Sequence, residues 1–105
     1  MMKTMTKEKK RKALAQALLA METESECNDF LTDLCTVKEV EDMSHRFEIA
    51  MLLKNGWTFA EVGEMTGASS ATISRVNRCL KNGTGYHSVI GKIDTGKFVD
   101  VKPQK

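Results

Sequence analysis

The sequence predicts an all-α fold, and three observations carry that reading. Apolar residues recur at helical rather than alternating spacing along most of the chain. A threonine followed three residues later by glutamate, the mark of a helix start, occurs at Thr23, Thr36 and Thr58. Helix breakers are sparse: seven glycines and a single proline, Pro103, in 105 residues. A chain of this length is one domain. The expected division is a disordered arm over residues 1–6, a helical domain over 7–93 and a flexible tail over 94–105.

The first helix is predicted from Lys7 to Met21, with Leu14, Ala17, Leu18 and Met21 as its apolar stripe. Thr23 and Glu26 open a second, whose expected buried side is Cys27, Phe30, Leu31 and Leu34, with Asp29 and Asp33 outward. Thr36 and Glu39 open a third. Val40, Met43, Phe47, Ala50 and Met51 line one of its faces, and beyond Phe47 the apolar set widens to Ile49, Leu52 and Leu53. A helix apolar on most sides is buried on most sides, so its second half is expected at the centre of the fold. Gly56 ends it.

The stretch from Thr58 to Leu80 organises the rest. Thr58 and Glu61 form a capping box, and Trp57 and Val62 stand at the positions of a hydrophobic staple. Gly67 stops this short helix, because glycine accepts the left-handed conformation of a C-terminal turn. The next helix begins near Ser69 and buries Ile73, Val76 and Leu80 on one face. Its other face shows Ser70, Ala71, Ser74, Arg75 and Arg78, all small or basic. Two helices joined by a tight glycine turn read as a helix-turn-helix. Hydroxyls and arginines without bulk at the tip are what a helix needs to read the DNA major groove. The candidate DNA-binding residues are Ser69, Ser70, Ala71, Thr72, Ser74, Arg75, Arg78 and Lys81. No acid lies between Glu64 and Asp94, whereas a merely solvated face mixes both signs. A last helix is expected over Tyr86–Ile93, with Val89, Ile90 and Ile93 on one side.

The net charge of +2 hides segregation. Residues 3–12 hold Lys3, Lys7, Lys9, Lys10, Arg11 and Lys12 against Glu8 alone, while residues 22–42 hold eight acids against Lys38. The basic run reads either as a solvated helix start or as a phosphate-seeking arm. Cys27, Cys35 and Cys79 form no CxxC pair, which suggests neither a zinc site nor a redox motif. Reduced thiols and the lack of a secretory leader predict a cytoplasmic protein. No apolar run reaches the ~18 residues of a membrane span. His45 and His87 have no metal-ligand partner at helical spacing, and no paired carboxylates or activated nucleophile stand out, so no metal and no enzyme activity are predicted.

The residues FEIAMLLKNGWTFAEVGEMTG, followed by GASSATISRVNRCLKNGTGYH, resemble the Trp repressor superfamily, and within it the Trp-repressor-like YerC/YecD family. The likeness covers about residues 7–93. It implies about six helices and a homodimer with interlocked N-terminal helices. It also implies a transcriptional repressor that binds operator DNA through the second helix of the motif. The family's ligand site carries over as Thr36, Arg46 and Arg75. Val76 stands where the family places a glycine against the indole ring, and Cys79 replaces a serine. Two methyl groups project where a flat ring must lie, so the expected site is a remnant and no cofactor is predicted. The alternative reading is a helical protein–protein interaction module, its acidic 22–42 segment facing a basic partner and the helix-turn-helix serving only as architecture.

Overall fold

The computed structural model describes residues 3–104, and every regular element among them is helical. In order these are α1 (Lys7–Ala20), α2 (Glu24–Leu34), α3 (Val37–Lys54), α4 (Phe59–Thr66), α5 (Ser70–Asn82), α6 (Gly85–Ile90) and a 3-10 turn at Thr95–Lys97. They group into two compact units that divide between Val40 and Glu41, where composition alone suggests one domain.

The first unit contains α1, α2 and the first turn of α3. Residues 3–6 have no regular structure; the start of the expected arm, residues 1 and 2, lies outside the described residues. Thr6 opens α1 by accepting the Lys9 N–H at 3.2 Å, a cap whose N3 residue is not acidic and which the Thr-x-x-Glu pattern therefore misses. Thr23 opens α2 by accepting the Glu26 N–H at 3.1 Å. Thr36 and Glu39 form a reciprocal box at the start of α3: the Thr36 N–H donates to Glu39 Oε1 at 2.8 Å and the Glu39 N–H to Thr36 Oγ1 at 3.1 Å. The expected burial of the first two helices is not found. Neither contains a buried residue: Leu14 and Leu18 are exposed, and Leu34 is 53% exposed at the end of α2. Leu19, on the opposite side of α1 from its stripe, is 85% exposed. Two short helices offer too little apolar surface to bury one another's faces.

The second unit is built around the later turns of α3. Ile49, Ala50, Met51 and Leu52 are all buried, as a helix apolar on most sides requires. Val62 from α4, Ile73, Val76 and Leu80 from α5, and Ile90 from α6 complete one core. Phe47 and Tyr86 stack at its edge with ring centroids 6.4 Å apart. The last helix is shorter than expected and turns a different face inward. It stops at Ile90, with Gly91 as its C-cap; Ile90 is buried and Tyr86 half-buried, while Val89 and Ile93 are exposed.

The C-terminal segment also departs from its composition. Residues 94–102, expected to be loose, make a 3-10 turn and then return to the α3–α4 corner. The Lys102 N–H donates to the Asn55 carbonyl at 3.0 Å, and the Trp57 indole N–H donates to the Asp100 carbonyl at 2.7 Å. The C-terminal segment contributes only backbone groups to these two bonds, which is why its side-chain composition does not show them.

Candidate nucleic-acid interface

The motif begins with a complete capping box. The Glu61 N–H donates to Thr58 Oγ1 at 3.2 Å, and the Thr58 N–H donates to Glu61 Oε1 at 2.9 Å. Trp57 packs against the core that contains Val62, as the staple predicts. At the other end Gly67 sits at φ +72°, and its N–H donates to the Gly63 carbonyl at 2.9 Å. The Thr66 hydroxyl reinforces the turn by donating to the Val62 carbonyl at 2.7 Å and accepting the Ala68 N–H at 3.1 Å. Ser69 then caps α5 by accepting the Thr72 N–H at 3.2 Å, and the two hydroxyls lie 3.0 Å apart.

α5 divides cleanly into two faces. Ile73, Val76 and Leu80 are buried against α3, α4 and α6 residues in the core. Ser70, Ala71, Ser74, Arg75, Arg78 and Lys81 are exposed, and on a helix of 3.6 residues per turn they share an arc of about 140°. Among the described residues no ion pair or hydrogen bond engages the Arg75, Arg78 or Lys81 side chains, and no acid of α5 competes for them. Ser69 and Thr72 differ from the rest of the predicted set, because their hydroxyls are already joined at the cap. Such a face can offer cations to phosphates and guanidinium forks to base edges.

The far end of α5 is held by a residue whose sequence position shows no role. His87 of α6 donates from Nε2 to the Leu80 carbonyl, while its Nδ1 accepts from the Lys54 ammonium at 2.6 Å. This arrangement fixes the tautomer and ties the C-terminal ends of α3 and α5 to α6.

A second connection that sequence spacing hides lies at the start of α4. Lys102 Nζ sits 2.7 Å from Glu61 Oε1, the same oxygen that accepts the Thr58 N–H. The Lys102 ammonium, followed by the Thr58 backbone and hydroxyl, draws the Glu61 carboxyl down from 4.5 to about 2. Glu39 is lowered in the same direction by the Thr36 N–H and then the Thr36 hydroxyl. Forty-one residues separate Lys102 from Glu61, and nothing in either neighbourhood marks the pair.

The residues of the expected ligand site stand as follows. Thr36 is fully engaged in its cap, Arg46 is half-buried on α3, and Arg75 is exposed on α5. Val76 is only 1% exposed, its side chain being part of the core. Cys79 is an exposed free thiol, and Cys27 and Cys35 are half-buried free thiols. No group of three or more His, Cys, Asp or Glu among the described residues could hold a metal ion. No described helix is long and apolar enough to cross a membrane.

Comparison with known proteins falls on this architecture. The family described as Trp repressor protein matches residues 9–92. An uncharacterized protein, YerC of Bacillus subtilis (strain 168), is 41% identical over 76 residues, covering 72% of this chain and 73% of that one. The crystal structure of a TrpR-like protein from Eubacterium eligens superposes with a TM-score of 0.77 at 39% identity, over 90% of this chain and 95% of that chain. A candidate Trp repressor from Staphylococcus aureus superposes at 0.75 with 38% identity, over 85% and 94% respectively.

Proposed function

Because the chain belongs to the Trp repressor family, a family of helix-turn-helix regulators, we propose that it is a sequence-specific DNA-binding repressor that acts as a homodimer in the cytoplasm. The observation that carries this reading is the acid-free outer arc of α5, with Arg75, Arg78 and Lys81 exposed and unpaired above a fully buried inner face. α5 enters the major groove. Arg75, Arg78, Ser70 and Ser74 reach base edges or phosphates, Ala71 keeps the approach close, and Lys81 meets the backbone. Ser69 and Thr72 serve through the cap they build, presenting the helix N-terminus to a phosphate.

Dimerisation is supported by α1 and α2, which keep large apolar side chains yet bury none of them. Helices of 14 and 11 residues are marginal in water without packing, so a second copy supplies the missing surface. A two-fold dimer reads two half-sites about 34 Å apart or a multiple of that.

Selection of bound sequences from a random duplex library, with purified protein and no added ligand, tests the reading. A palindrome should be enriched, and binding to it should weaken steeply with salt. Binding to no duplex at any salt would overturn it, and would favour the protein-interaction module instead.

L-tryptophan is not expected to act as co-repressor. Val76 occupies the position where the family leaves the backbone bare, and its side chain is locked in the core. Isothermal calorimetry on the wild-type protein should show no tryptophan binding; tight binding would restore a ligand-controlled mechanism. Val76→Gly is a poor companion test, because it would also open a core cavity and put glycine mid-helix.

A further inference from the structure

We propose that residues 94–102 form a clasp that holds α4 in its DNA-reading pose, with Lys102 as a positioning residue acting through Glu61. The proposal rests on the DNA-binding reading above. The clasp starts beyond residue 92, where the family match ends, so it is not part of the matched module.

Three ties and one apolar contact make it. Lys102 N–H bonds the Asn55 carbonyl, the Trp57 indole bonds the Asp100 carbonyl, and Lys102 Nζ pairs with Glu61. Val99 packs against the core. The corner that the segment meets is turned by Gly56 at φ +95°, a backbone conformation that favours glycine, and a Cβ there would lie at an ordinary contact distance of 3.7 Å from the Lys102 Cβ. A cleft of about 510 Å³ opens between Lys54, Asn55 and Gly56 on one side and Val101, Lys102 and Pro103 on the other.

The contacts converge on the weakest element of the motif. α4 has eight residues and buries one of them, Val62. Too short to hold itself, such a helix takes its direction from its cap and its neighbours. Its cap is Thr58 with Glu61, and Lys102 grips the cap's carboxylate from outside. α4 packs on α5, so the angle at which α4 starts is passed to the helix that carries Arg75 and Arg78. Lys102 is therefore coupled to DNA reading without touching DNA.

The test uses the full chain and its Lys102→Gln, Lys102→Arg and Trp57→Phe variants. Affinity for a selected operator is measured across a salt series, with hydrogen exchange at the Val62 amide followed in the same proteins. Trp57, the single tryptophan, supplies an emission signal in every protein but the Trp57→Phe variant. Lys102→Gln should weaken operator binding ~2–5-fold, the size of a partly exposed ion pair. It should also speed Val62 exchange, shift Trp57 emission to the red and leave the salt slope unchanged. Lys102→Arg should restore affinity. Trp57→Phe, which keeps an aromatic ring but loses the donor and part of the indole's packing, should weaken binding at least as much as Lys102→Gln. A salt slope that falls by about one would make Lys102 a direct phosphate contact and overturn the proposal. So would wild-type affinity in Lys102→Gln, which would leave the clasp purely structural. If the wild type itself binds no duplex, the functional reading fails first and takes this proposal with it, a result distinct from either.

Discussion

One oxygen of Glu61 accepts both the Thr58 N–H and the Lys102 ammonium, and that economy has a pH signature. The carboxyl titrates near 2 in the fold against 4.5 ordinarily. Its folded value is depressed, so its stabilising contribution is present above 4.5 and is lost as pH falls toward 2. Glu61→Gln can still cap Thr58 but cannot pair with Lys102. We expect the variant to melt below the wild type at neutral pH and the gap to close as pH falls through that window, as followed by circular dichroism. A gap that stays constant with pH would mean the charge does nothing. At the opposite end of the motif Arg75 and Arg78 lie off the core face. Arg75→Ala and Arg78→Ala should change stability by no more than about 0.5 kcal/mol. Loss of a base contact should cost ~1–3 kcal/mol of discrimination, whereas loss of a phosphate contact should weaken all sequences alike. Fluorescence anisotropy on matched and scrambled duplexes separates the two, and unchanged binding in the double variant would remove α5 as the reading helix.

Elements were legible where their instructions are local. The capping boxes at Thr36 and Thr58, the left-handed Gly67 and the Ile73–Val76–Leu80 face all follow from residues a few positions apart, and all are present. The last helix turns a different face inward than its apolar spacing suggests: Val89 and Ile93 are exposed, while Tyr86 and Ile90, one helical turn apart, share the inward side. Two glycines in the motif give a paired test. Gly67 has open space where a Cβ would go but stands at φ +72°, so Gly67→Ala should destabilise by ~1–2 kcal/mol through backbone strain alone. Gly63 is helical, and a Cβ there would meet the Ile73 Cδ1 at an ordinary 3.7 Å, so Gly63→Ala should stabilise by ~0.5–1 kcal/mol. Denaturant melts of both variants should move in opposite directions.

At the scale of the whole molecule, apolar spacing marks the core of the second unit but names no cover for the first, for which only the family resemblance implies an interlocked second copy. Apolar spacing tells which face of α1 is meant to be buried; it does not tell whether the covering surface belongs to the same chain. Sedimentation should show a dimer at micromolar concentration, and a monomer across that range would remove the second copy from the account. Dilution below the dimer's dissociation constant should lose the circular-dichroism signal of α1 and α2 while the second unit keeps its own. The C-terminal segment escaped the reading for a related reason. Its partners are 41, 43 and 47 positions away, and two of the three bonds use the segment's main chain.

That detail bears on how the segment can diverge. Asp100 contributes only its carbonyl to the Trp57 bond, and Phe98 and Val101 are largely exposed. Their identities are therefore open to drift. Lys102 and Glu61 are tied by side chains at both ends, and Trp57 by its indole. Across relatives that carry this segment, positions 61 and 102 should change together, charge for charge, and a lineage that drops the segment should be released from keeping tryptophan at 57.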